Sequence, residues 1–457
     1  MATRGERLRF WFPVAGLLVL AAYSGQKLVR AHVDPEVEPL RYDFTRELPA
    51  VRGSIYDCFG TDYPLVKSVP VWEYHLDPVA LTNRIVRPKG APRPRTREEI
   101  VGTIASALRL DYRKVLAMSL NATKRYQFLS VSSDPEAHRQ LCDSKMVAGV
   151  VIEDTQVRQY LHGRRLAHVL GAVNAEMTGS AGIEQKFNRQ LTGVPGKIRG
   201  LRDARGQEIY DRRIETIAPI AGANIHLTID HNIQYEAESA LAWGVKEFGS
   251  GSGWCVVLDA TSGAVLAMAS LPDFNPLSYG HTSEGAKLNR VTNFTYEPGS
   301  VMKVITAAAA VDAGVVRPDS LYSTKRDEEG YYRLPGDGRH VWDPRMSVRD
   351  AVAKSSNIVM GKVGCDLGAE RLWTYMDKFG FGHRTGVELP GEEVGILPNW
   401  RKWDKVKWSR APIGQGVSVT AIQLASAYQA IANNGVRMQP YIVDRVVAAN
   451  GKELYRH

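Results

Sequence analysis

Ser300 and Lys303 stand three residues apart in the run 297–311, EPGSVMKVITAAAAV, where nearly every other residue is apolar. On a helix that spacing puts both side chains on one face. A helix that is apolar nearly all round is buried. Burial penalises an ammonium, pushing a lysine pKa down from about 10.4 until the neutral amine can act as a base near neutral pH. Beside a hydroxyl, such an amine takes the proton as the oxygen attacks a carbonyl, which is the serine–lysine form of nucleophilic catalysis. The spacing alone is weak evidence. A chain of this size should show about one or two such matches by chance, and Ser24 with Lys27 repeats it beside an apolar N-terminal run. Standing alone, Lys303 would sooner be read as a stem that packs while its head reaches water.

A second polar cluster follows in Lys354-Ser355-Ser356-Asn357, where Ser355 and Asn357 take an S-x-N spacing at a helix start. The competing reading there is helix capping, which Ser and Asn do commonly. Ser119-Leu120-Asn121 has the same spacing but precedes the nucleophile and falls in another domain.

The elements that must position these residues are legible from turn signals and periodicity. Pro298-Gly299 turns the chain into a helix that Gly314 closes. Upstream, GWCVVLDATSGAVLAMAS reads as two strands joined by a Thr-Ser-Gly turn. Downstream, SVRDAVAKSSNIVMGKVGCDLG and VTAIQLASAYQAIANNG carry helical patterns ending at Gly368 and Gly435, and the tail PYIVDRVVAANGKELYRH reads as a hairpin around Asn450-Gly451. VPVWEYHLD alternates like a strand, whereas LTGVPGKIRGLRDARGQE is dense in turn residues. Near Ala223 the pattern changes to alternating Ile225-Leu227-Ile229 and then a helix, so a domain boundary is expected there. Hairpin, helices and strands in that order make an α+β domain.

The chain has 457 residues, 44% of them hydrophobic, so two or three packed units are expected. A formal charge of +9 fits nucleic acid, a membrane surface or an acidic polymer equally well. The N-terminus narrows this. Residues 10–26 are uncharged and barely long enough to span a membrane. Arg4, Arg7 and Arg9 precede them and hold residues 1–9 in the cytoplasm, exporting everything after Lys27. A signal peptide cleaved near Ala22-Tyr23-Ser24 is the alternative to an uncleaved anchor. An outside location argues against a nucleic-acid partner. The basic, proline-rich run RIVRPKGAPRPRTREE reads as an exposed loop, either solvated or in contact with anionic lipid or wall polymer. Cys58, Cys142, Cys255 and Cys365 are scattered without metal-ligand spacing and read as buried small apolar residues.

EPGSVMK, the later SSN, the preceding LDATSGAVLAMASLPDFNP and the following GQGVSVTAIQLASAYQAIANNG together resemble the class B penicillin-binding proteins, monofunctional D,D-transpeptidases that cross-link peptidoglycan. RGSIYDCFGTDYPL resembles the family's arginine–glycine motif, and AGIEQKFNRQLTGVPG with RDARGQEI resembles the end of its N-terminal pedestal, so the likeness covers nearly the whole chain. The single anchor fits the division-type members best.

The resemblance implies an α+β fold: a penicillin-binding-protein/serine β-lactamase-like transpeptidase domain, with helices packed on an antiparallel sheet, preceded by an elongated, strand-rich pedestal and one transmembrane helix. The expected division is a cytoplasmic tail at 1–9, an anchor at 10–26, a dimerisation-like pedestal at 27–222 and a transpeptidase domain at 223–457. It further implies Ser300 as the acylated nucleophile, Lys303 as its general base, Ser355 as proton shuttle to the leaving group and Asn357 as a partner for the substrate amide. Donor and acceptor would be a stem peptide ending D-Ala-D-Ala and an amine on a neighbouring strand. β-Lactams would acylate the same serine, a membrane glycan polymerase and division proteins would be partners, and no metal or organic cofactor is implied.

One part of the family's pattern is not found. Its third motif, Lys-Thr-Gly on an edge strand, should follow Gly435 by several tens of residues, and the sequence stops at His457. Arg384-Thr385-Gly386 resembles a separate turn that family members carry in addition. The expectation is a fragment lacking its C-terminal strands. Loss of one oxyanion donor costs roughly 10²-fold to 10³-fold in turnover. The competing expectations are a non-catalytic division scaffold and a serine β-lactamase. The large pedestal and the anchor weigh against the lactamase, and a single apolar segment weighs against a multi-span β-lactam sensor.

Overall fold

The computed structural model describes residues 43–457 except 61–62, 84–95, 122, 125, 144–148, 203–207 and 341. The expected anchor at 10–26 and most of the basic loop lie outside the described residues. Among the described residues no helix is long and apolar enough to cross a membrane.

Contacts divide the described residues into two units, a smaller one that includes Asp43–Leu48 and Pro195–Ala218, and a larger one within Pro49–Val194 and Pro219–His457. The smaller unit is an antiparallel sheet with Gly196–Arg202 central between Asp43–Leu48 and Glu208–Ile217. These strands occupy the stretch that reads in sequence as turns. Its glycines and charges mask the pattern, since of GKIRGLR only Ile198 is buried as a large apolar residue.

The larger unit is built on a seven-stranded sheet. β1 (Ile55–Tyr56) leads into the long β2 (Pro64–Leu76), which pairs antiparallel with β3 (Gln127–Ser132) and with β4 (Val150–Tyr160). Helices α1 (Arg97–Leu108), α2 (Tyr112–Leu120) and α3 (Pro135–Asp143) cover this end. Tyr74 and Leu76 of β2 pack with Ile100, Val101 and Ile104 of α1, Val115 of α2 and Leu141 of α3. Each such burial stabilises by about 1.5–3 kcal/mol. Thr96 and Glu99 start α1 with a reciprocal capping box.

β5 (Asn224–Leu227) joins the same sheet, parallel to β1. Ile225, Leu227 and Ile229 are fully buried, as their alternation requires. Asp230 then caps α4 (His231–Glu247). The hairpin of β6 (Gly253–Leu258) and β7 (Val265–Leu271) forms as expected, and its turn is organised by Asp259, whose carboxylate accepts from the N–H and hydroxyl groups of Thr261 and Ser262. The tail forms a second hairpin, β8 (Val443–Val447) and β9 (Glu453–Arg456). It extends the seven-stranded sheet at β5 rather than the β6–β7 pair. The sheet therefore runs through Ala223, the expected boundary, and joins strands from both sides of it.

The arginine–glycine motif has a structural role in this unit. Arg52 and Arg158 each donate 2.7 Å bonds to the two oxygens of Glu184, and all three side chains are about 1% exposed or less. Such a cluster adds little over an apolar replacement, but loss of one partner costs roughly 3–5 kcal/mol.

A separate helical core carries the serine and lysine. α5 (Met302–Asp312) packs against α6 (Val348–Ala353), α7 (Asn357–Leu367) and α8 (Ala421–Ala432) through Met302, Ile305, Ala309, Val359, Met360, Val363 and Ala427. Of the cysteines, Cys58 and Cys142 are exposed, which corrects the expectation that all four are buried; Cys255 and Cys365 are partly buried.

Candidate active site

Pro298 begins a 3₁₀ turn at Gly299–Val301 that runs straight into α5, so Ser300 sits at the first turn of a continuous helical segment. There backbone N–H groups have no partner one turn earlier. Ser300 is exposed, while Lys303, one turn on, is 1% exposed. The turn is clamped from behind. Gly299 N–H donates to Gly414 O (3.1 Å), Gly416 N–H to Glu297 Oε1 (2.8 Å), and the Tyr428 hydroxyl of α8 to Val301 O (2.7 Å). Gly414 has φ +78°, and a Cβ there would lie 2.3 Å from Gly299 O and 2.6 Å from Gly299 N. Only glycine allows that approach.

Lys303 Nζ donates to Ser300 Oγ (3.1 Å), Ser355 Oγ (2.9 Å) and Ser355 O (2.6 Å), which uses all three of its N–H bonds. Burial pushes its pKa down, opposed by the charge of Asp337. The head does not reach outward to water, as a surface lysine's would, but bridges two hydroxyls. Neutral, that nitrogen presents its lone pair to the Ser300 hydroxyl.

Ser355 is brought here by a tight connection between α6 and α7. Its φ is +56°, in the left-handed region that costs a non-glycine residue about 1–2 kcal/mol. That conformation directs both its carbonyl and its hydroxyl at Lys303. Capping of α7 falls to neither Ser355 nor Asn357 but to Ser356, which accepts from Val359 N–H. Asn357 is the first residue of α7, and its Nδ2 donates to Gly336 O (2.8 Å), outside the hydrogen-bonded Ser300–Lys303–Ser355 group.

Sequence reasoning missed Asp337. Its Oδ1 accepts from Asn357 N–H (2.5 Å) and Ile358 N–H (3.1 Å), and its Oδ2 from the Ser356 hydroxyl and the Trp342 indole, both at 2.7 Å. It lies in a Pro-Gly-Asp-Gly turn, where an aspartate signals nothing beyond the turn itself. Arg384-Thr385-Gly386 is also in a turn, where Thr385 and Gly386 donate to the carboxylate of Glu392.

An exposed hydroxyl, a buried amine with a lowered pKa and a second hydroxyl on that amine form an acyl-transfer arrangement. Residues 253–456 match the penicillin-binding protein transpeptidase domain, and residues 47–227 the penicillin-binding protein dimerisation domain. Penicillin-binding protein PbpB of Mycolicibacterium smegmatis is 31% identical over 343 residues, covering 74% of this chain and 52% of that protein. Peptidoglycan D,D-transpeptidase FtsI of Escherichia coli is 28% identical over 433 residues, covering 92% of this chain and 70% of that protein. The crystal structure of penicillin-binding protein 3 from Mycobacterium tuberculosis complexed with aztreonam superposes with a TM-score of 0.64 at 25% identity, covering 90% of this chain and 70% of that one. The chain thus spans about half the length of PbpB.

Proposed function

The chain belongs to the class B, division-type penicillin-binding proteins, and on that premise we propose that it acts as a peptidoglycan D,D-transpeptidase through a Ser300 acyl-enzyme. The observation that carries this reading is Lys303, 1% exposed and hydrogen-bonded to the hydroxyls of both Ser300 and Ser355.

In the proposed cycle the donor is a stem peptide ending D-Ala-D-Ala. Ser300 Oγ attacks the carbonyl carbon of the penultimate D-Ala while neutral Lys303 takes the hydroxyl proton. The Ser300 N–H, at the start of the helical segment, faces the developing oxyanion. The C–N bond to the terminal D-Ala then breaks, and the leaving nitrogen receives a proton through the Ser355 hydroxyl. An acceptor amine attacks the ester, loses its proton along the same route, and Ser300 is regenerated as the new amide forms. A β-lactam enters at the first step, but its leaving nitrogen stays tethered, so the acyl-enzyme persists. Asn357 Oδ1 is assigned to the substrate's amide N–H, since the side chain's Nδ2 is held by Gly336.

The same reading places residues 10–26 in the cytoplasmic membrane and the bulk of the chain outside it. The pedestal at 27–222 and transpeptidase domain at 223–457 would meet a glycan polymerase and division proteins there.

The activity is tested with a soluble D-Ala-D-Ala pentapeptide and a D-amino acid as acceptor amine. D-Alanine should be released together with the exchanged peptide amide, and both should stop after β-lactam treatment. A folded chain that releases no D-alanine and forms no exchange product would contradict the proposal.

A further inference from the structure

The Ser355 turn is strained, and something must hold it. Ser355 has φ +56° and is exposed, so packing of its own side chain does not fix it. Sparsely populated conformations persist where surrounding structure over-determines them. The group that does so here is Asp337, which gathers the Ser356 hydroxyl, the Asn357 and Ile358 N–H groups and the Trp342 indole onto one carboxylate. The two N–H groups belong to the first turn of α7, where they lack helical partners and favour an anion. Ser356 and Asn357 follow Ser355 directly, so the carboxylate grips the chain immediately beyond the strained residue. From the other side the turn is tied by Ser355 N–H to Val352 O (3.1 Å) and Ser356 N–H to Ala351 O (2.8 Å).

We propose that Asp337 is a positioning residue for acyl transfer at Ser300: it locks the left-handed Ser355 turn onto the start of α7, so that the Ser355 carbonyl and hydroxyl both face Lys303, and its negative charge acts on that lysine. The proposal rests on the acyl-transfer reading above and adds a control of the base to it. The Asp337 charge favours the ammonium while burial disfavours it. Lys354 lies 5.8 Å from the Trp342 ring centroid, with His340 stacked on the same ring. From the other elements packed on α5, Glu297 accepts from Gly416 N–H and the Tyr428 hydroxyl donates to Val301 O.

The test compares wild type with Asp337→Asn and Trp342→Phe by two readouts. One is the second-order rate of acylation by a fluorescent penicillin as a function of pH. The other is the Lys303 titration, followed by NMR in protein labelled at lysine Cε and assigned with Lys303→Met. Asp337→Asn should cut the plateau acylation rate by about 10-fold to 100-fold, the scale of a small misplacement of a reacting group. It should also move both the rising limb of the rate profile and the Lys303 titration to lower pH, because the charge that favoured the ammonium is gone. Trp342→Phe removes one donor but keeps the charge, so it should slow acylation less and leave the titration in place.

A rate loss in Asp337→Asn with an unmoved titration would reduce Asp337 to a folding role and overturn the proposal. So would a moved titration with an unchanged plateau rate. Absence of label in wild type would instead sink the acyl-transfer reading itself, and the two failures are therefore separable.

Discussion

Ser300→Ala will take up no fluorescent penicillin, a loss on the order of 10⁶-fold in acylation, the scale seen when a serine nucleophile is removed from an intact site. The residue is exposed and its hydroxyl accepts one bond from Lys303, so the variant should fold as wild type does. Parallel thermal melts check this. Unchanged melting with complete loss of label separates a lost nucleophile from a lost fold. Label retained in the alanine variant would move the reactive serine elsewhere, with Ser355 the first to examine.

Lys303→Met will slow acylation and raise stability together. Methionine matches the length of the lysine stem without the charge, on a helix where Met302 and Ile305 are buried as well. Losing the general base should slow acylation by about 10²-fold to 10⁴-fold. Removing a cation that burial disfavours should stabilise the fold at the pH values where the ammonium form dominates. The sign with pH follows from the lowered pKa. Between the folded value and about 10.4 the unfolded chain binds more protons than the folded one, so wild-type stability rises with pH across that window. The advantage of Lys303→Met is therefore greatest below the lysine's folded pKa and fades above about 10.4. Denaturation at several pH values measures it, and a variant less stable than wild type at pH 6 would contradict the assignment of a lysine whose charged form burial disfavours.

These two residues were legible because one helical turn links them, and local periodicity carries that information. Ser355 was legible by type but not by place: its contact with Lys303 spans 52 residues, and its positive φ has no signature in a Lys-Ser-Ser-Asn string. Asn357 was singled out by its spacing from Ser355, whereas its amide hydrogen bond goes to Gly336, a backbone oxygen that no pattern announces. Asp337 was invisible for the same reason, since three of its four partners lie at the start of a helix 19 to 21 residues further on. In the fold, the β6–β7 hairpin and the tail hairpin were readable from their turns, but not the sheet each would join. Register across β5, β1 and β8 is set by burial of Ile55, Ile225 and Val446, which converge from three distant parts of the chain. The strands at Gly196–Arg202 and Glu208–Ile217 were hidden by glycine and charge. Arg52 and Glu184 stood out in separate motifs, yet only the structure shows that they meet across 132 residues.

The most direct test of the central claim is mass spectrometry of the folded chain after incubation with benzylpenicillin, followed by peptide mapping. The account predicts one added ring-opened penicillin per chain, carried by the peptide that contains Ser300. A folded chain that gains no mass, or gains it on a peptide without Ser300, would contradict it.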